Sequence, residues 1–423
     1  MKSIVSSLLA ILLLSGSPHA QTPENVVKSV LADPKFATAQ AYILRDHDRI
    51  VKEIIQLAEI PAPPFREETR ARAYLEMLRQ QGLDAVESDS EGNVMGLRRG
   101  SGKGSMLVVA AHLDTVFPEG TEIKVKREGT RLLAPGVGDD SRALAVVLAL
   151  ARALDQAAIR TTRDILFVAD VGEEGAGDLR GVKYLFQKGA YQGKIGMFVS
   201  IDGTGSEGIV NGALGSRRYR ITFRGPGGHS YGAFGLVSPA FALGNAISKF
   251  SKIPVPKSPK TTFNVGVVGG GTSVNSIPFE SWMDIDMRSE SPGELNKLSE
   301  KSLALIREAA EEENKARSTA QGKIEVDIKL IGERPSGETP ESGSIVQLAS
   351  ASMWAHGLSP IYRIGSTDAN IPISLGVPAI TIGSGGSGGR AHALDEWIDV
   401  EKQSSVKGIG VILTILLSLA GME

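Results

Sequence analysis

Two adjacent carboxylates, Glu173 and Glu174, stand between glycines in VADVGEEGAG, directly after the apolar run Ile165–Val171. The run reads as a buried strand, and the glutamates as the start of the loop that leaves it. Two negative charges side by side at the rim of a core are costly unless a cation or a reaction uses them. One carboxylate binding a metal while the other handles a proton of a metal-bound water is the chemistry that suits such a pair. Candidate ligands to complete the centre are His112 and Asp114 in AAHLDTVF, Asp139 in GVGDDS, Asp202 in FVSIDG and His392 in GRAHALDE.

Each of these residues also has a plainer reading. His112 and Asp114 are spaced i, i+2, so on a strand both side chains face one crevice, yet such a pair could simply close the strand. A carboxylate behind a histidine fixes its tautomer and strengthens it as a donor. Asp139 and Asp140 precede a helical segment and could serve as N-caps, but two adjacent aspartates exceed what capping needs. Asp202 alone could form a turn, and His392 alone could be an ordinary loop histidine. Taken together, two histidines and several carboxylates at strand ends match divalent metals, with zinc favoured by imidazole. Five ligands with one bridging carboxylate suit a pair of metals close enough to share a water and polarise a carbonyl.

The elements that must position these residues follow from hydrophobic spacing. Helical periodicity appears in Arg49–Ile60, Glu67–Gln81, Ala143–Gln156 and Gly181–Gly189. Short apolar runs fit for buried strands lie between them, at Ser105–Ala111, Ile165–Val171 and Met197–Ile201. This alternation predicts an α/β fold with a mostly parallel sheet flanked by helices. The polar candidates fall at the C-terminal ends of the strands, where open α/β sheets place their ligands. After about Gly212 the pattern changes. Arg217–Arg224 and Glu280–Arg288 alternate like half-exposed antiparallel strands, with helices at Pro239–Phe250 and Gly293–Lys315 and a last strand at Ile324–Ile331. We therefore expect an inserted α+β lid or dimerisation domain at residues 213–335, about 120 residues long, an ordinary domain size. It would divide a catalytic domain into residues 21–212 and 336–423, with Arg334–Gly343 as the return linker. Helix resumes at Ile345–His356, strand at Ala379–Ile382, and a terminal helix closes the chain.

A chain of 423 residues with 42% hydrophobic content can bury a large core. Its formal net charge of −2 and lack of long basic tracts give no field that favours nucleic acid or anionic membrane. Residues 1–20, MKSIVSSLLAILLLSGSPHA, have the outline of a signal peptide cleaved after Ala20, although Pro18 fits poorly at the third position back. The expected location is periplasmic or secreted. There is no cysteine, so packing and metal must hold an exported fold without disulfides. The apolar stretch Gly408–Gly421 is short for a membrane span and reads as a terminal helix packed on the sheet.

The motifs HLDTV, GVGDD, GEEG, SIDG, GGHS, NSIP, GSTDA and HALDE occur in this order over residues 40–420. In this the chain resembles the zinc-dependent exopeptidases and deacylases that include glutamate carboxypeptidase, peptidase T, acetylornithine deacetylase, succinyl-diaminopimelate desuccinylase and aminoacylase. The resemblance implies two divalent metal ions, zinc with cobalt or manganese as substitutes. It places His112 and Asp202 on one, Glu174 and His392 on the other, and Asp139 bridging. It implies Asp114 as the orienter of His112, Glu173 as general base, and a non-proline cis peptide at Asp139–Asp140. His229 in RGPGGHSYG would reach the active site of a partner subunit and support the oxyanion, with Asn275 and Arg288 touching the substrate's carboxylate or carbonyl. A homodimer through the insert is expected. The sequence departs from the family in DDSRA, where a common lysine is missing and Arg142 stands one place later, and in the glycine-rich Gly383–Gly389.

The implied reaction is hydrolysis of an amide next to a free terminus, in a short peptide or an N-acyl amino acid. Three rivals compete. GGSGG at Gly385–Gly389 matches a serine-hydrolase elbow by letter, with Ser387 as nucleophile, but an elbow must lead into a helix. A non-catalytic metal-binding envelope protein would have no use for Glu173 beside Glu174. A structural module would be expected to show repeats, and none is evident.

Overall fold

The computed structural model describes residues 21–423, so the signal-peptide segment lies outside the described residues. A nine-stranded sheet forms the body. Its order is Ala85–Ser88, Val94–Arg98, Ile165–Asp170, Met106–His112, Ile195–Ile201, Ala379–Ile382, Gly208–Ala213, Gly337–Glu338, with Ile361–Gly365 also paired to Gly208–Ala213. The middle is parallel: Met106–His112 runs parallel to both Ile165–Asp170 and Ile195–Ile201, and Ala379–Ile382 parallel to the latter. Antiparallel pairs occur at both margins, although Ile361–Gly365 joins one margin in parallel. His112 lies opposite Asp170 in register. The loops that carry HLD, GEEG and IDG therefore leave one edge together.

Helix Arg142–Gln156 packs on one face with scarcely an exposed residue, covered in turn by Pro34–Ala58 and Lys402–Ala420. Arg180–Gln187 and Asn370–Ser374 cover the other face through a second apolar cluster around Val168, Leu185 and Phe198. Pro34–Ala58 is longer than the expected Arg49–Ile60. Its first half carries buried Phe36, Ala39 and Ile43 among polar residues, and Asp33 caps its start. Lys402–Ala420 is the one helix among the described residues long and apolar enough to cross a membrane, and most of it is buried inside the fold.

Between Ala213 and Gly337 the chain builds a second, four-stranded antiparallel sheet. Its order is Thr261–Gly270, Glu280–Ser289, Gly215–Arg224, Glu325–Arg334, backed by helices Pro239–Phe250 and Pro292–Ala316 over a separate apolar core. The edge strand Thr261–Gly270 was not expected, because its glycines and mostly exposed side chains weaken the strand pattern. The last lid strand is also longer than expected. It runs on through a bulge at Ile331 to Arg334, which pairs with Ser216. Arg334 is thus the final residue of a lid strand instead of the start of the linker.

Leu413 is fully buried in the terminal helix. Leu413→Ala should destabilise the protein by about 2–5 kcal/mol, read from the denaturant midpoint. An unchanged midpoint would mean that this helix is not part of the core.

Candidate metal centre

The strand-end loops bring the candidate ligands together. The two oxygens of Asp139 face two different imidazoles: Oδ1 lies 2.9 Å from His112 Nε2, and Oδ2 lies 3.1 Å from His392 Nε2. His392 Nε2 is also 3.0 Å from Glu174 Oε1. Ligand atoms of His112, Asp139 and Glu174 fall within 4.8 Å of one another, as do those of His112, Asp140 and Asp202. The peptide Asp139–Asp140 is cis.

Several buried groups hold this arrangement. Asp114 Oδ1 and Oδ2 accept the backbone N–H groups of Glu173 and Glu174 at 3.0 and 2.8 Å. His112 Nδ1 lies 3.0 Å from the Asp114 carbonyl and 3.6 Å from its carboxylate, so Asp114 fixes the imidazole and the glutamate turn together. Arg70, fully buried, donates to the carbonyls of Leu113 and Ile60. Asp140 is fully buried behind the centre, where Oδ2 accepts the N–H of His112 at 3.1 Å instead of capping the following helix. Glu396 accepts the N–H groups of Gly136, Gly138 and Asp139 at 2.9, 2.7 and 2.8 Å, which cradles the turn before the cis peptide.

The electrostatics are lopsided. Asp114, Asp139, Asp140, Asp170, Glu173, Glu174, Asp202 and Asp368 converge, and His112, His392, Arg70 and Arg334 are the cations set against them. Burial pushes Glu173 up to about 8, although Arg334 pulls the other way. Burial and then the charge of Asp139 raise Asp202 to about 7. Asp170, raised by burial to about 7, lies against Asp368, raised further by burial and by Asp170 itself. All four oxygens of these two carboxylates are buried without a hydrogen-bond partner, and the raised proton affinity of both favours the neutral form. His392 moves up to about 10 through its contacts with Asp139 and Glu174. Asp114 and Asp139 are held below the ordinary range, because burial is outweighed by their histidine contacts.

The donor set fits a divalent pair. Donors at about 2.0–2.2 Å around a tetrahedral zinc stand roughly 3.3 Å apart, and the imidazole–carboxylate separations of 2.9–3.1 Å need only a small outward shift. His112, Asp139, Glu174 and Asp202 could all bind metal. Each imidazole points its Nε2 at carboxylate oxygens, the side a cation would occupy.

The lid residues expected at the site stay within the lid in the single chain. His229 is exposed on a short ribbon, paired with Ser276, and its Nδ1 accepts from the N–H groups of Tyr231 and Gly232. Asn275 is exposed and bonded to Ser273. Arg288 pairs with Asp286 at 2.7 Å and reaches no residue of the centre. A different arginine does. Arg334, almost fully buried, donates to Glu173 Oε1 at 3.0 Å, to the Glu173 carbonyl, and to Ser366 at 3.1 Å. Sequence reasoning missed it because the strand was ended too early. Glu396 and Asp368 stood inside the motifs HALDE and GSTDA, where their place in the motif was the available signal. Ser387 begins a strand, Ser387–Gly389, paired with Trp397–Asp399. No helix follows it, so no nucleophile elbow exists there.

Imidazoles and carboxylates gathered at the C-terminal edge of a parallel sheet, beside a buried glutamate, define a metal-dependent hydrolase. Residues 108–418 match the model of Peptidase family M20/M25/M40, and the chain belongs to that family as a peptidase or amidohydrolase. It is 24% identical over 298 residues to carboxypeptidase G2 of Pseudomonas sp. (strain RS-16), covering 68% of each chain. It is 25% identical over 362 residues to succinyl-diaminopimelate desuccinylase of Corynebacterium glutamicum, covering 84% of this chain and 93% of the relative. The fold superposes on aminopeptidase PepT of Bacillus cereus with a TM-score of 0.69 at 22% identity, covering 88% of this chain and 99% of that one. It also superposes on a dinuclear metal binding peptidase of the M20 family from Bacillus subtilis, with a TM-score of 0.64 at 15% identity, covering 88% and 99%. Zinc use is implied by the family.

The raised carboxylates give the metal-free protein a definite pH response. Glu173, Asp170 and Asp202 hold protons in the fold that the unfolded chain gives up near pH 4. Stability is therefore full below about pH 4 for these groups and lost as pH rises through 7 to 8. His392, raised to about 10, acts in the same direction, while the contributions of Asp114 and Asp139 are complete by pH 5.5. Calorimetry should find a lower Tm for chelated protein at pH 8 than at pH 5.5, and a larger rise on adding zinc at pH 8. A metal-free Tm that climbs over this interval would contradict the charge argument.

Proposed function

We propose that this protein is an exopeptidase that hydrolyses the amide next to a free terminus in short peptides. The observation that carries the reading is Glu173. It is a buried carboxylate outside the metal donor set, adjacent to ligand Glu174 and fixed by Asp114 through its backbone. A bound divalent pair would supply a water of lowered pKa and a polarised carbonyl. Glu173 takes a proton from the attacking water as the C–O bond forms, then returns it to the nitrogen as the C–N bond breaks. A raised affinity for protons suits a group that must accept one and release it near neutrality. The Arg334 guanidinium is engaged by Glu173 and Ser366 and holds the Glu173 side chain in place.

The second reading is an N-acyl-amino-acid deacylase on the same scaffold. The desuccinylase relative, aligned over 93% of its length, supports it. Both substrates present an amide and a carboxylate, and both use Glu173 identically.

We further propose a homodimer through the lid. The edge strand Thr261–Gly270 leaves one side unpaired, and its Val267 and Val268 are about half exposed. In a dimer His229 of one chain would support the oxyanion at the centre of the other. Export through the segment at residues 1–20 completes the proposal; fractionation and N-terminal sequencing of the mature protein test it.

Glu173→Gln should lower turnover by roughly 10²- to 10⁴-fold while two metal equivalents remain bound, measured on di- and tripeptides and N-acyl amino acids with and without chelator. Near-normal turnover with full metal would remove Glu173 as base, and peptides left intact while acyl amino acids are cleaved would select the deacylase. Mixing Glu173→Gln and His229→Ala subunits should restore part of the lost activity. No recovery in a verified mixed dimer would argue against a shared site.

A further inference from the structure

The loop that carries Glu173 is joined to the lid by a polar clamp that lies outside the metal centre. Asp178 accepts the backbone N–H of Glu333 with both carboxylate oxygens, at 3.0 and 3.1 Å. Lys183 Nζ bridges the same pair, 2.6 Å from Asp178 and 2.9 Å from the Glu333 carbonyl. Both polar groups of one lid residue, the N–H and C=O of Glu333, are therefore gripped by the catalytic domain. The next residue along the strand is Arg334, which sits on Glu173. The neighbouring lid strand adds a contact through Arg218, which donates to the Gly175 carbonyl at 2.8 Å.

The local backbone is shaped for this grip. Asp178 and Leu179 are consecutive non-glycine residues at φ 55° and 60°, a region that side chains avoid unless the surroundings enforce it. Leu179 is fully buried in the second apolar cluster, and its N–H bonds the Gly172 carbonyl at 2.8 Å. Gly177 N–H closes on the Glu174 carbonyl at 2.8 Å. The segment from Gly172 to Leu179 is thus tied to itself and moves as one piece.

Around the clamp the two domains are poorly packed. A cavity of about 730 Å³ separates the lid strand from the catalytic helices, and Phe65, Leu330, Ile331 and Leu375 on its walls remain about half exposed. With little apolar contact to fix it there, the lid's angle depends on the polar clamp and the covalent hinge.

We propose that Asp178 is a positioning residue: it fixes the register between the lid's return strand and the glutamate loop, so that Arg334 and Glu173 stay in working contact. The proposal rests on the reading of Glu173 as base. Asp178→Gly isolates the effect, because glycine adopts φ near 55° freely and only the carboxylate is lost. Turnover per metal-loaded site should fall roughly 10- to 100-fold, the cost of misplacing reacting groups by about 1 Å, with KM changed less than about threefold. Asp178→Asn, which keeps one acceptor oxygen, should recover part of the loss.

The chain has no native cysteine, so Lys188→Cys and Lys301→Cys can carry spin labels on the catalytic domain and the lid. The interdomain distance distribution should broaden in Asp178→Gly and narrow again in Asp178→Asn. Turnover within twofold of the parent, or an unchanged distance distribution, overturns the proposal. So does a loss explained wholly by lower metal content or a lower Tm. Failure of the base reading shows separately, as normal turnover in Glu173→Gln with the parent's distances intact.

Discussion

The constraint on which the rest depends is the concentration of carboxylates where three parallel strands end. A buried, unpaired carboxylate is unfavourable by several kcal/mol, and here many are gathered with few cations. The fold tolerates them by several devices. Backbone amides are turned toward Asp114 and Glu396, burial raises the proton affinity of Asp170 and Asp368, and Arg70 and Arg334 are buried nearby. The remaining excess faces two imidazoles and is what a divalent pair would neutralise. Stability and chemistry therefore share one cause. The groups whose crowding is unfavourable are those that would make a metal-loaded centre reactive.

Much of this was legible in the sequence, for identifiable reasons. Strands Met106–His112, Ile165–Asp170 and Ile195–Ile201 are continuous apolar runs because both faces of the sheet centre are covered, and such runs are hard to mistake. The candidate ligands His112, Glu174 and Asp202 lie at or just beyond the ends of these strands, while Asp139 stands before the helix Arg142–Gln156, so their positions could be inferred before the coordinates. His392 could be found by its motif but not by its surroundings, since it sits in a loop at φ 66° with no periodic pattern. The groups that escaped notice act through the backbone or through pairing partners remote in sequence. Arg70 and Glu396 bind main-chain atoms, which leave no mark in side-chain spacing. Arg334 was lost because the strand was ended at Ile331 and the linker begun at Arg334, yet Gly332, Glu333 and Arg334 pair with Arg218, Arg217 and Ser216.

The lid illustrates how far spacing alone can reach. Its alternating strands and its long helices were readable, because half-buried strands alternate cleanly: every second residue of Glu280–Ser289 is buried. Thr261–Gly270 was not, since an edge strand pays little attention to burial and its glycines carry no side chain to pattern. The roles given to His229, Asn275 and Arg288 depend on where the lid stands relative to a centre. For His229 they depend on a second chain as well. Residue type and motif cannot fix either relation. Arg288 shows the consequence: in this chain its guanidinium is engaged by Asp286, while Arg334 occupies the position beside Glu173.

Placing a lid arginine on Glu173 has a physical implication for how the two domains must work together. Glu173 belongs to the catalytic domain and is fixed there by Asp114, whereas Arg334 belongs to the last lid strand. Their contact can be kept only if the hinge is held to a fraction of an ångström, because a charge-assisted hydrogen bond weakens quickly with distance and angle. A hinge joined by an apolar interface would hold that distance but resist rotation. A hinge joined by Asp178, Lys183 and the peptide of Glu333 holds it through directional bonds that can break and re-form as water exchanges in. The half-exposed apolar walls beside the clamp are consistent with a joint built for orientation more than for adhesion.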